Sequence, residues 1–171
     1  MRDEHGVVII ERHERSQVHP DLDGLGGAAD WHVVLHFDAK DLTRYAPLLE
    51  ELTVPFVIDH MASVDAAAEL DREPMQRRLA LLADERCWPK ISGAARLSAV
   101  GAPSYPDVVA FGRALVAATP TRIPWSTDWP YPNVAPMPDD GDLVELLADL
   151  RPGQDQRQQI LVDNPVRYPL R

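Results

Sequence analysis

The 171-residue chain carries a single cysteine, Cys87. No disulfide can close within it, and a reducing cytoplasm is the expected compartment. Positive charge is scarce: 17 Lys and Arg stand against 27 Asp and Glu, a net charge of −10. A duplex-binding protein would show a basic stripe, so nucleic acid is not an expected partner. Long apolar runs are missing near the start. The run at residues 7–10 ends at Glu11, too short for a signal peptide or a membrane span, so neither export nor a membrane is expected. Short repeats and low-complexity tracts are absent as well. What remains is ordinary for a soluble domain: 45% apolar and 26% charged residues, in a length that allows one sizeable core.

Apolar runs and amphipathic stretches alternate along the chain. Residues 6–10, 31–37 (WHVVLHF), 54–58 (VPFVI), 87–92 and 122–127 read as strands. A helix is expected from residue 38, with Leu42, Tyr45, Leu48, Leu49 and Leu52 as its apolar stripe. Others are expected over 73–85, with Met75, Leu79 and Leu82 on one face, and over 107–118, capped near Ser104 or Asp107. Two more follow, 142–150 and 155–162, the last stopped by Asn164-Pro165. Residues 11–30 carry the weakest pattern. Strand then helix, several times over, with continuous apolar strands, predicts an α/β fold on a parallel sheet covered by helices.

The strands finish in polar residues. His36 and Asp38 close the first long one, Asp59 and His60 the next; Arg96 follows the third and Asp128 the fourth. In α/β folds that rim is where ligands bind. Alternation groups His32, Val34 and His36 on one face, Phe56, Ile58 and His60 on another, and Ser126 with Asp128. His36, His60 and Asp128 are therefore expected to point into one mouth. Each has an ordinary reading when taken singly. A histidine at a strand end is more often a hydrogen-bonded core residue. Asp59-His60 can open a turn. Asp59 is expected to pair with backbone or an arginine, Arg96 can be a solvated charge, and His32, lower on its strand, is expected to be structural. Asp128 is no helix cap, because Pro130 and Pro132 forbid a regular helix soon after it. It is expected to be buried against Trp125 and Trp129, a costly place for an unpaired carboxylate. His5, His13 and His19 receive no role. The joint placement points to a site; no single residue does.

VPFVIDHMA, WPKISGAARLS, IPWSTDWPYPN and ILVDNPVRYP, in that order and spacing, resemble the amidohydrolase-related superfamily. Within it they are similar to the branch of 2-pyrone-4,6-dicarboxylate lactonase and related TIM-barrel hydrolases. WHVVLHFDAKDL looks like the segment that precedes them. The likeness spans residues 31–171, and residues 1–30 stand apart as a poorly matched segment. The resemblance implies the C-terminal half or more of a (β/α)8 barrel that hydrolyses a carboxylate-bearing lactone or similar cyclic ester or amide. By that likeness Asp128 is the general base on the attacking water, and His60 polarises the scissile carbonyl or, as in metal-dependent relatives, binds metal. Arg96 grips a substrate carboxylate, and His36 stands where relatives place a metal ligand or a polar substrate contact. Tyr131, where the branch usually carries a histidine, lies beside the substrate.

The departures carry expectations too. Family members open with His-x-His on the first strand, and this sequence contains none. No metal or other cofactor is therefore expected, although relatives bind divalent metals such as zinc. A full barrel takes about 250 residues, so the chain reads as N-terminally truncated. Two further readings follow: a metal-dependent decarboxylase of the same superfamily, and a non-catalytic remnant or half-barrel that needs a partner. A homo-oligomer covering the open barrel is one form of the last.

Overall fold

A computed structural model describes residues 7–10, 32–37, 41–63, 73–131, 134–150 and 153–168. The expected roles of Trp31 and Asp38, and the three N-terminal histidines, lie outside these residues.

Strands β1 (Val7–Ile10), β2 (His32–Leu35), β3 (Phe56–Ile58) and β4 (Cys87–Pro89) form one parallel sheet in the order β1-β2-β3-β4. A parallel bridge between Ile91 and Trp125 adds a fifth position beyond β4. There Ile91 donates to the Pro124 carbonyl (2.9 Å) and Ser126 donates to that of Ile91 (3.0 Å). The expected strand over 122–127 contracts to this bridge, because Pro124 has no N–H to extend the ladder. Each strand lies beside its successor in sequence, as in the wall of a βα barrel and unlike a doubly wound sheet.

The helices are α1 (Leu42–Glu51), α2 (Glu73–Leu82), α3 (Ala94–Leu97), α4 (Pro106–Ala118), α5 (Asp140–Leu150), α6 (Gln154–Gln158) and α7 (Asn164–Arg167). Two expectations at helix ends are corrected. Neither Ser104 nor Asp107 caps α4: Tyr105 precedes it and Pro106 takes the first turn, where no N–H is needed. The Asp107 carboxylate instead turns back to accept from the Ser98 hydroxyl (2.6 Å) and the Ala99 amide (2.7 Å). Nor does Asn164-Pro165 stop the last helix. The chain passes from α6 through a π turn, Gln159–Asp163, into α7. A wider turn accommodates Pro165, which lacks an N–H and crowds the turn before it.

Alternation sends Val33, Leu35, Phe37, Phe56, Ile58, Cys87 and Ile91 outward to the helices. With Leu49, Met75, Leu82, Phe111, Leu115, Leu146 and Ile160 they form the hydrophobic core. Each such Leu or Ile contributes about 1.5–3 kcal/mol by leaving water. Gly112 has no Cβ at the point where one would overlap the Leu150 side chain, so α4 and α5 pack closely.

The register puts a different set on the inner face: His32, Val34 and His36; Val57 and Asp59; Trp88, Lys90 and Ser92; Pro124 and Ser126. Tyr168, just past α7, closes the bottom of this face. Its ring lies 5.5 Å from that of Trp88 and 6.0 Å from that of His32, and burial pushes its phenol up. Fully buried Asn164 ties the segment down, its amide donating to the carbonyls of Pro120 (3.1 Å) and Ile123 (2.9 Å). A cavity of about 350 Å³ opens between that floor and Asp59, Lys90 and Ser126. Among the described residues, no helix is long and apolar enough to cross a membrane.

Candidate active site

His60 reaches the inner face by a route that alternation does not give. The ladder aligns Val34 with Val57 and Val57 with Trp88, so Asp59 is the inward residue and strict alternation would send His60 outward. A left-handed turn re-aims it. His60, Met61, Ala62 and Ser63 have φ of 46, 51, 59 and 45°. Such backbone costs a residue with a Cβ roughly 1–2 kcal/mol, and strain of this kind gathers at functional sites. The sheet holds the turn at both ends: Asp59 donates to the Leu35 carbonyl (2.9 Å) and Met61 to that of Lys90 (3.0 Å). The imidazole ends 7% exposed. It packs edge-on against His36, with ring centroids 4.8 Å apart.

Four charged groups surround it. His60 Nε2 lies 3.6 Å from Asp59 Oδ2 and 3.6 Å from Asp128 Oδ1. Arg96 Nε donates to Asp128 Oδ2 at 2.6 Å. Lys90 Nζ lies 2.8 Å from Asp59 Oδ1, which also accepts from the His60 amide at 3.0 Å. On its other side, His60 Nδ1 lies 2.9 Å from Ser92 Oγ. Gly93, at φ 72°, has no Cβ where one would stand 3.1 Å from Nδ1. The stretch Lys90–Arg96 thus supplies a cation, a hydroxyl, room for the ring and a guanidinium. Asp128 enters at φ 79°, in a region that aspartate tolerates.

Two carboxylates and two cations balance. Burial pushes the Asp59 carboxyl up, but Lys90 and His60 outweigh it and hold it below the usual range. Burial pushes the His60 imidazole down; Asp59 and Asp128 pull the other way. Each of those carboxylates already faces a cation, so burial wins and the ring is neutral near pH 7. A neutral imidazole beside a carboxylate can pass a proton or donate a hydrogen bond to a reacting oxygen.

The structure brings His36, His60, Arg96 and Asp128 together. Tyr131 is buried next to Asp128, whose carbonyl accepts from its amide (3.0 Å), and its hydroxyl donates to Asp140 at the start of α5. Asp128 is not sandwiched between tryptophans, since Trp129 is 74% exposed; Arg96 is its partner. Asp59 pairs with backbone as expected, accepting from the His60 amide, and its charged partner is a lysine and not an arginine. His32 sits at the floor. Lys90 and Ser92 escaped the sequence reading, although the alternation Lys90-x-Ser92 in a strand carries both to one face.

A zinc site takes three protein ligands. Here Asp59 already carries Lys90, Asp128 carries Arg96, and Nδ1 of His60 faces a hydroxyl. Among the described residues, no three His, Cys, Asp or Glu side chains are placed to hold a metal ion.

Residues 17–168 match the amidohydrolase family, a span that begins upstream of the likeness read from the motifs. The chain is 42% identical to 4-sulfomuconolactone hydrolase of Hydrogenophaga intermedia, over 82% of this chain and 47% of that protein. It is 38% identical to 2-pyrone-4,6-dicarboxylate hydrolase of Comamonas testosteroni, over 80% and 48%. A ligand-free crystal structure from Agrobacterium tumefaciens matches with a TM-score of 0.74 at 34% identity, over 84% and 52%. The chain therefore spans about half the length of the curated relatives it matches. The solved relatives are TIM barrels, and the sheet described above corresponds to part of such a wall.

Proposed function

The chain belongs to the amidohydrolase family, and from that premise we propose that it hydrolyses a carboxylate-bearing lactone or similar cyclic ester. The observation that carries this is the meeting of His60 and Asp128, Nε2 to Oδ1 3.6 Å, with Arg96 on the other oxygen of the same carboxylate. Water attacks the lactone carbonyl while Asp128 takes its proton. His60 donates to the carbonyl oxygen as negative charge gathers there. The ring C–O bond then breaks, and the departing oxygen takes the proton from Asp128, leaving a hydroxy acid.

Arg96 keeps four N–H donors beyond the one on Asp128, enough to hold a substrate carboxylate. His36 lends a polar contact beside His60. No step is routed through a metal. The substrate is a small molecule, a reducing cytoplasm is the proposed compartment, and a second copy of the chain is the proposed cover for the inner sheet face. The test compares turnover of a lactone dicarboxylate with that of its methyl esters. The free acid should be hydrolysed and the esters spared, and Arg96→Met should raise KM for the acid at least tenfold. Equal hydrolysis of acid and esters, or none of either, would end this reading.

A further inference from the structure

The Ser92 hydroxyl has one proton and two acceptors within reach, His60 Nδ1 at 2.9 Å and Asp59 Oδ1 at 3.4 Å. Which acceptor takes it decides the tautomer of His60, and so which edge of the ring can donate. Asp59 Oδ1 is already occupied. Lys90 Nζ stands 2.8 Å from it and the His60 amide donates to it at 3.0 Å. A carboxylate oxygen offers about two lone pairs, and both are used. Nδ1, the nearer acceptor, has no competing donor among the contacts above. On the far edge of the ring, Nε2 faces carboxylate oxygens of Asp59 and Asp128, both at 3.6 Å. A proton there is attracted by both; a lone pair there would be repelled by both.

We propose that Lys90 and Ser92 together lock His60 as the Nε2–H tautomer: Lys90 saturates Asp59, the Ser92 proton goes to Nδ1, and the ring N–H points to the space beside Asp128. Both are positioning residues acting through the imidazole. Nothing in the motif reading gave either a role. The lock is built into the backbone as well. Gly93 leaves the ring its place beside Ser92, and the left-handed turn at 60–63 aims it there. The catalytic use of this lock rests on the reading of His60 as donor to the substrate carbonyl; the tautomer itself does not.

The experiment is ¹⁵N–¹H correlation NMR of the ¹⁵N-histidine-labelled chain, with the His60 signals assigned by their loss in His60→Asn. Wild type should show a pyridine-type Nδ1 and a pyrrole-type Nε2. Lys90→Met frees one lone pair on Asp59 Oδ1. The Ser92 proton can then turn to Asp59, and the signals should move toward a protonated Nδ1. Ser92→Ala should shift Nδ1 downfield, to the position of a pyridine-type nitrogen without a donor. A protonated Nδ1 in wild type would overturn the proposal, and so would a Lys90→Met spectrum identical to wild type. No turnover is needed for these readings. An Nε2–H His60 in a chain without lactone hydrolysis would uphold the lock and refute the function.

Discussion

Replacing Asn164 by alanine should be among the most damaging changes outside the site. The residue is fully buried, and its side-chain amide donates to two carbonyls, Pro120 at 3.1 Å and Ile123 at 2.9 Å. Its oxygen accepts from Gln159 (2.7 Å) and Arg167 (3.1 Å). Those last two donors sit nearer the surface and can turn to water, so their loss costs little. The two carbonyls cannot, and each buried unpaired acceptor costs about 1–3 kcal/mol. The expected loss is about 3–4 kcal/mol, which at this chain length lowers Tm by roughly 10 °C. Urea unfolding followed by tryptophan fluorescence should show a lower midpoint with the slope unchanged. Gln159→Ala, the internal comparison, should lose less than about 1 kcal/mol, because Arg167 still serves the same oxygen. A loss below about 1 kcal/mol in Asn164→Ala would refute the reasoning. It would mean that the C-terminal segment does not anchor the run from Ile123 that delivers Asp128.

Gly93→Ala should destabilise by about 1–2 kcal/mol from its φ of 72° alone, and should displace the His60 ring signals in NMR; an unperturbed ring would contradict the packing. His60 makes stability depend on pH with a definite sign. Its folded value lies below the ordinary 6.5, so as pH falls through 6.5 the unfolded chain takes a proton that the folded one refuses, and stability drops. Asp59, Asp128, Lys90 and His36 all face the ring, and His60→Asn should remove this part of the slope in unfolding curves as pH falls through 6.5. Asp59 acts lower down: its contribution is complete above 3.8 and fades as pH falls through its depressed folded value, so Asp59→Asn should lessen acid sensitivity there. Asp107→Ala frees the 98–101 turn that follows Arg96, and should cost about 1–2 kcal/mol in thermal unfolding.

The sheet and its helices were legible because their signals are local. Met75 and Leu82 bury on the face that their spacing gives, and the apolar runs of β2 and β3 pair as parallel strands. The meeting of His36, His60, Arg96 and Asp128 followed from counting strand ends. The reason for it did not. Parity assigned His60 inward, whereas the register turns Asp59 inward and only four successive left-handed residues bring His60 back. Nothing in the letters His-Met-Ala-Ser announces positive φ, which glycine or asparagine would have done. The motif that singled out Tyr131 gave no sign that its hydroxyl goes to Asp140, nine positions on. Lys90 and Ser92 share the inner face with Trp88 by alternation alone. Their alternation in a strand was visible throughout.

The most direct test of the central claim is kcat for a lactone dicarboxylate in wild type and in Asp128→Asn, with KM measured alongside. Amide for carboxylate preserves the shape of the side chain and removes the base. The account predicts a fall in kcat of about 10²–10⁴ with KM changed far less. Wild-type turnover in Asp128→Asn would contradict it.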